Sequence, residues 1–159
     1  MNQVRLICAA LAISHATAGS AQDNAAPMVL GTQTHFTQGW SLDLLDNAAN
    51  LGAVAIRDEI TWSRVESVKG VYDFTEADKY MRPLIDRGFV PLIVINEVNP
   101  LYDAGKTPHT DQGRAGFAAY VSAILSHYGP DNLLIEIGNE VNTSDFVSGP
   151  ALEDPPRAF

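Results

Sequence analysis

The chain has 159 residues, a net charge of −9 and a single cysteine, Cys8. The acidity argues against a nucleic-acid partner, whose phosphates need a cationic face, and one cysteine excludes a disulfide framework. The charges are scattered rather than blocked, and a hydrophobic content of 46% is ordinary for a globular chain.

The first segment, 1–21, has an early cation, Arg5, then a short apolar centre over 6–13, then small residues at Ala16-Thr-Ala18 and Gly19-Ser-Ala21. That order is the mark of a secretory signal peptide, and its apolar part falls short of the roughly 20 residues a membrane helix needs. A secreted or periplasmic protein is therefore expected, with no membrane span. Residues 22–27 read as a polar linker, and 28–159 as the folded part.

Beyond the linker, short apolar runs alternate with amphipathic ones. Strands are expected over 28–34, 54–58, 90–95 and 133–137. Helices are expected over 41–51, opened by Ser41; over 75–88, opened by a capping box from Thr75 to Asp78 and bent at Pro83; and over 111–128, stopped by Gly129-Pro130. The third strand is apolar throughout, as in a parallel sheet buried on both faces. Four such repeats define an α/β fold with helices outside a parallel sheet.

Each strand runs directly into polar or ionisable residues. His35 follows the first, Arg57, Asp58 and Glu59 close the second, Asn96 and Glu97 follow the third, and Asn139 and Glu140 follow the fourth. The carboxyl ends of parallel strands share one edge, where α/β proteins bind ligands. These residues therefore form a candidate site floor, with Trp62 as a nearby aromatic suited to a ligand's apolar face or to the core. Arg57 can serve the site or neutralise a neighbouring carboxylate. No cluster of His, Cys, Asp and Glu has metal-ligand spacing, and no metal or cofactor is expected.

The run from Ile56 to Glu66, with Arg57 and Trp62-x-x-Val65-Glu66, then Gly70-Val-Tyr-Asp-Phe74, then Gly138-Asn-Glu140, resembles the barrel glycoside hydrolases with an Asn-Glu motif on strand four. The nearest likeness is to family 39, the β-xylosidase and exopolysaccharide hydrolase type. The resemblance spans about 31–142 and implies the N-terminal part, about four βα units, of a (β/α)8 barrel. It makes Glu140 the general acid/base of a retaining glycosidase and Asn139 the partner of a sugar 2-hydroxyl, with Arg57 supporting the floor and His35 and Trp62 in sugar contact. Asn96 and Glu97 join them as substrate-binding candidates. Val141 stands where the family has proline.

In that clan the nucleophile is a glutamate on strand seven, and a full barrel takes about 250 residues. After Asn142 the composition is that of a loop, so the chain is expected to lack the nucleophile and to be inactive alone. An oligo- or polysaccharide is the expected substrate, and the remaining barrel half, or self-association through exposed sheet edges, the expected protein partner. Two other readings stay open: a non-catalytic half-barrel that binds glycans, and a small open-sheet α/β protein.

Overall fold

The computed structural model describes residues 28–153, so the expected signal segment and linker lie outside the described residues. Four strands, β1 (Gly31–Gln33), β2 (Ala55–Thr61), β3 (Val90–Asn96) and β4 (Leu134–Ile137), form one parallel sheet in the order β1-β2-β3-β4. The intervening helices are α1 (Leu44–Asn50), α2 (Trp62–Val65), α3 (Thr75–Asp86) and α4 (Asp111–Tyr128).

Strictly sequential order decides the architecture. Crossovers between parallel strands are right-handed, so helices change face only where strand order reverses. No reversal occurs among these strands, and every helix falls on the same side, as in a barrel wall. A doubly wound open sheet has a switch point, so the open-sheet alternative does not describe this fold.

The register separates two faces. Ile56, Asp58 and Ile60 of β2 pair with Pro91, Ile93 and Ile95 of β3, and Ile93 pairs with Ile135 of β4. These face the helices, and Ile56, Ile60, Ile93 and Ile95 are buried in one core with Leu45 of α1, Met81 and Leu84 of α3, and Phe117, Tyr120 and Ile124 of α4. Each such side chain contributes roughly 1.5–3 kcal/mol on burial. The opposite, inner face carries Arg57 and Glu59 beside Leu92 and Val94, then Leu134 and Glu136. Leu134 is 59% exposed there, because no described element covers that face at β4.

Several boundaries depart from expectation. β2 runs to Thr61, three residues further than the apolar run suggests. Its polar residues alternate with buried ones, so Arg57, Glu59 and Thr61 occupy one face without ending the strand. α1 begins at Leu44 rather than Ser41, because the Ser41 hydroxyl accepts from the Asp43 N–H (3.2 Å) in a turn before the helix. The expected capping box is not formed. Thr75 is already helical, and the Asp73 carboxylate accepts its N–H at 2.9 Å. α3 continues through Pro83 to Asp86.

The loops after β2 and β3 are joined through Glu66, a fully buried carboxylate. It accepts from Trp62 Nε1 (2.5 Å), the Gly70 N–H (2.6 Å) and the Tyr102 hydroxyl (2.7 Å). Burial and the adjacent Glu66 charge push the Tyr102 pKa far up, so the phenol stays a donor. Tyr102 in turn lies on α4 at Gly116, where any Cβ would overlap its ring. A helical glycine is costly in propensity; here it permits the close approach of the β3–α4 loop to its helix.

Candidate active site

The polar residues at the strand ends converge on a cavity of about 310 Å3 at the carboxyl edge of the sheet. Of the seven residues singled out in the sequence, His35, Arg57, Asn96, Glu97 and Asn139 line it. A larger groove of about 540 Å3 lies between Phe36, Trp40 and the α3 residues Glu76, Ala77 and Tyr80. Neither Asn139 nor Glu140 lines that groove, so the smaller cavity is taken as the site.

Arg57 is the hub. Its Nε and Nη2 donate to both carboxylate oxygens of Glu136 (2.9 and 2.7 Å), Nη1 donates to Gln33 Oε1 (2.9 Å), and Nη2 also donates to Asn139 Oδ1 (3.0 Å). β2 and β4 are not neighbours. Arg57 pairs in register with Leu92 and thence with Leu134, and Glu136 is the next inner-face position along β4. The guanidinium therefore spans β3 diagonally, and the intervening Val94 is buried although it is on the inner face. The two-pronged bond to Glu136 raises the Arg57 pKa above its ordinary value against the effect of burial. The same bond holds the Glu136 carboxyl below the usual range. Arg57 thus pairs with Glu136, not with Asp58 or Glu59.

A guanidinium has only donors, so Asn139 must turn its oxygen to Arg57. Its amide nitrogen is then left to donate elsewhere. Asn139 follows Gly138, whose φ of 69° is a left-handed turn that ends β4, and precedes Glu140 with φ 46°. A left-handed backbone is uncommon for glutamate. The Glu140 carbonyl accepts from the Thr143 N–H (2.9 Å) and hydroxyl (3.1 Å), which hold this turn, and the side chain is exposed. Glu140 is not among the residues lining the cavity; it adjoins it through Asn139.

Asp58 faces the other way and builds the wall. It is buried and accepts from the Thr34 hydroxyl (2.7 Å) and the N–H groups of Phe36 (2.7 Å), Glu59 (2.8 Å) and Thr37 (3.4 Å). This fixes the short 3-10 turn at Phe36–Gln38 and with it His35, whose Nδ1 accepts from Gln38 Nε2 at 3.2 Å and whose ring meets Trp40 edge-on at 4.9 Å.

Trp62 requires a correction. The expected sugar contact fails, because Trp62 is wholly buried on the helix side, stacked on Tyr102 (4.9 Å) and Tyr120 (5.6 Å), and bonded to Glu66. As the first residue of α2 it turns outward where the strand's inner-face residue, Thr61, precedes it. The aromatic that does line the cavity is Phe146, 42% exposed in the loop after β4. Glu136, Gln33 and Phe146 were not anticipated. A lone glutamate inside an apolar strand was the available signal for Glu136.

Among the described residues no group of three or more His, Cys, Asp or Glu could hold a metal ion, and no helix is long and apolar enough to cross a membrane.

A sequential parallel wall with a polar inner face and a cavity at the carboxyl edge defines part of a (β/α)-barrel fold. Solved structures bear this out at the level of the fold. The chain is similar to a family 39 glycoside hydrolase from the gut symbiont Bacteroides cellulosilyticus WH2, with TM-score 0.62 and 21% identity over 73% of this chain and 27% of that one. It is also similar to an exo-β-1,4-mannosidase from Opitutaceae bacterium strain TAV5, with TM-score 0.55 and 22% identity over 72% of this chain and 25% of that one. The chain thus spans about a quarter of the length of these structures. No family model and no curated protein matches it.

Proposed function

We propose that this chain is the proton-donating part of a retaining glycoside hydrolase acting on β-linked sugars of an oligo- or polysaccharide. The observation that carries the reading is the Arg57–Asn139 bond of 3.0 Å, backed by the bidentate Glu136. It fixes an amide donor at the edge of the cavity, the group that holds a sugar 2-hydroxyl more tightly as charge builds at the anomeric carbon. Glu140, the next residue, donates the proton to the leaving oxygen. Its exposure means that the bound sugar and further barrel strands supply the enclosure a proton donor needs.

The nucleophile must face the acid across the sugar at roughly 5–5.5 Å. Glu59 and Glu97 belong to strands on the acid's own side, so neither takes that role and the chain alone is inactive. The exported location inferred from 1–21 suits a polysaccharide substrate.

A nucleophile-deficient retaining site is tested with an external nucleophile. Aryl β-xylosides and β-mannosides should not turn over, and added azide or formate should restore aryl release. Glu140→Gln should abolish that release for leaving groups that need a proton and spare dinitrophenolate, which does not. Equal loss on both would contradict the acid role. The exposure of Glu140 favours one second reading, a glycan-binding half-barrel without chemistry. Saturable sugar binding with no azide-dependent release would select it.

A further inference from the structure

The cavity has an unbalanced charge. Among its lining residues, Asp58 is satisfied by four donors within the wall, and the Arg57 fork is occupied by Glu136, Gln33 and Asn139. Glu59 and Glu97 remain. Glu59 is close enough to act on the Arg57 charge but receives none of its hydrogen bonds.

Glu97 is the sharper anomaly. It is only 4% exposed, its Oε1 is buried with no hydrogen-bond partner among the described residues, and it lines the cavity. Burial pushes its pKa above the ordinary carboxylate value, with its own backbone N–H as the opposing influence. An unpaired buried carboxyl is costly and is retained where something completes it. Three candidates can do so: a metal ion, a neutral hydroxyl, or an organic cation. The described residues hold no cluster fit for a metal. A hydroxyl would bring a donor but no charge to a cavity in which Glu59 has only a share of the Arg57 charge and none of its hydrogen bonds. A primary ammonium supplies three donors and a positive charge.

We propose that the cavity takes an amino sugar, a hexosamine residue with a free, protonated amine, whose ammonium is held by Glu97 with Glu59 adding to its field. Phe146 offers an apolar face to the ring and the Asn139 amide a donor to a hydroxyl. The inference rests on the site's being a sugar site and adds the substrate class. It makes Glu97 a specificity-determining residue rather than a catalytic one.

The test is a calorimetric comparison of glucosamine disaccharide, its N-acetylated counterpart and cellobiose on this chain. A hydrogen bond to a buried charge sets the expected preference for the amine at about tenfold or more. Glu97→Gln, which keeps the shape, should remove that preference. Glu76→Gln, at an exposed α3 side chain that does not line the cavity, removes the same charge and should leave the preference intact. A preference that survives Glu97→Gln, or that Glu76→Gln also removes, would show only attraction to an acidic protein and overturns the proposal. Equal wild-type affinity for the three sugars overturns it without any variant, while leaving the sugar site standing. Binding of none overturns the sugar site and this inference together.

Discussion

Asp58 tests whether the wall is built as described. It is 3% exposed and receives three short hydrogen bonds, from Thr34, Phe36 and Glu59, and one long one from Thr37. Asp58→Asn keeps one acceptor oxygen and turns an NH2 towards the remaining donors. If the oxygen stays with Thr34 and Phe36, the short Glu59 bond is lost and the other two lose their charge assistance. With about 1.5–3 kcal/mol for a bond to a charged group and about 1 kcal/mol for a neutral one, the low end of the cost is about 2.5–3 kcal/mol. That is a large share of the roughly 5–15 kcal/mol of a typical domain. Urea unfolding can be followed by tryptophan emission, since Trp62 is fully buried while Trp40 is 47% exposed. At a slope of about 2 kcal/mol per molar urea, the midpoint should fall by about 1.5 M. Thr34→Val removes one donor only and should cost about half as much. An Asn variant within about 1 kcal/mol of the parent would refute the account of the Asp58 carboxylate as the clamp of the β1 loop.

Two further outcomes follow from contacts away from the clamp. Gly116→Ala puts a methyl group into the Tyr102 ring, so strain should outweigh the gain in helix propensity. The net loss should be about 1–3 kcal/mol, read as a lower melting temperature. The Glu136 carboxyl is held below its ordinary value of 4.5 by Arg57, so its stabilisation is complete above that value and is lost as pH falls through the depressed folded value. Glu136→Gln should therefore flatten the acid limb of the stability–pH profile in urea titrations. An unchanged limb would mean that the pair contributes nothing.

The fold was legible where a periodic signal was long. α4 occupies the expected 111–128 because its Thr110 cap, which accepts from the Gly113 N–H at 3.0 Å, and its Gly129 stop both lie in the local sequence. Parallel pairing and helices outside the sheet followed from the apolar strands. β2 was read short because its inner face is polar, and an alternating strand resembles a strand end when only its apolar half is counted. The site was legible as residue types at one edge, which brought His35, Arg57, Asn96, Glu97 and Asn139 to one cavity. Partnership was not legible. Arg57 and Glu136 are 79 positions apart, and their contact depends on the register of three strands. Trp62 failed because one residue decides on which side of a strand end a side chain emerges.

The placement of the core has a consequence for how such a chain is made. The main hydrophobic core lies between the sheet and its helices, and the Arg57 network closes among β1, β2 and β4 without help from another strand. The bonds that orient the Asn139 amide therefore come from residues earlier in the chain, and only the turn beside it depends on a later one, Thr143. Any strands that follow would assemble against a finished template, and errors in the late units would cost barrel closure before they disturbed this network.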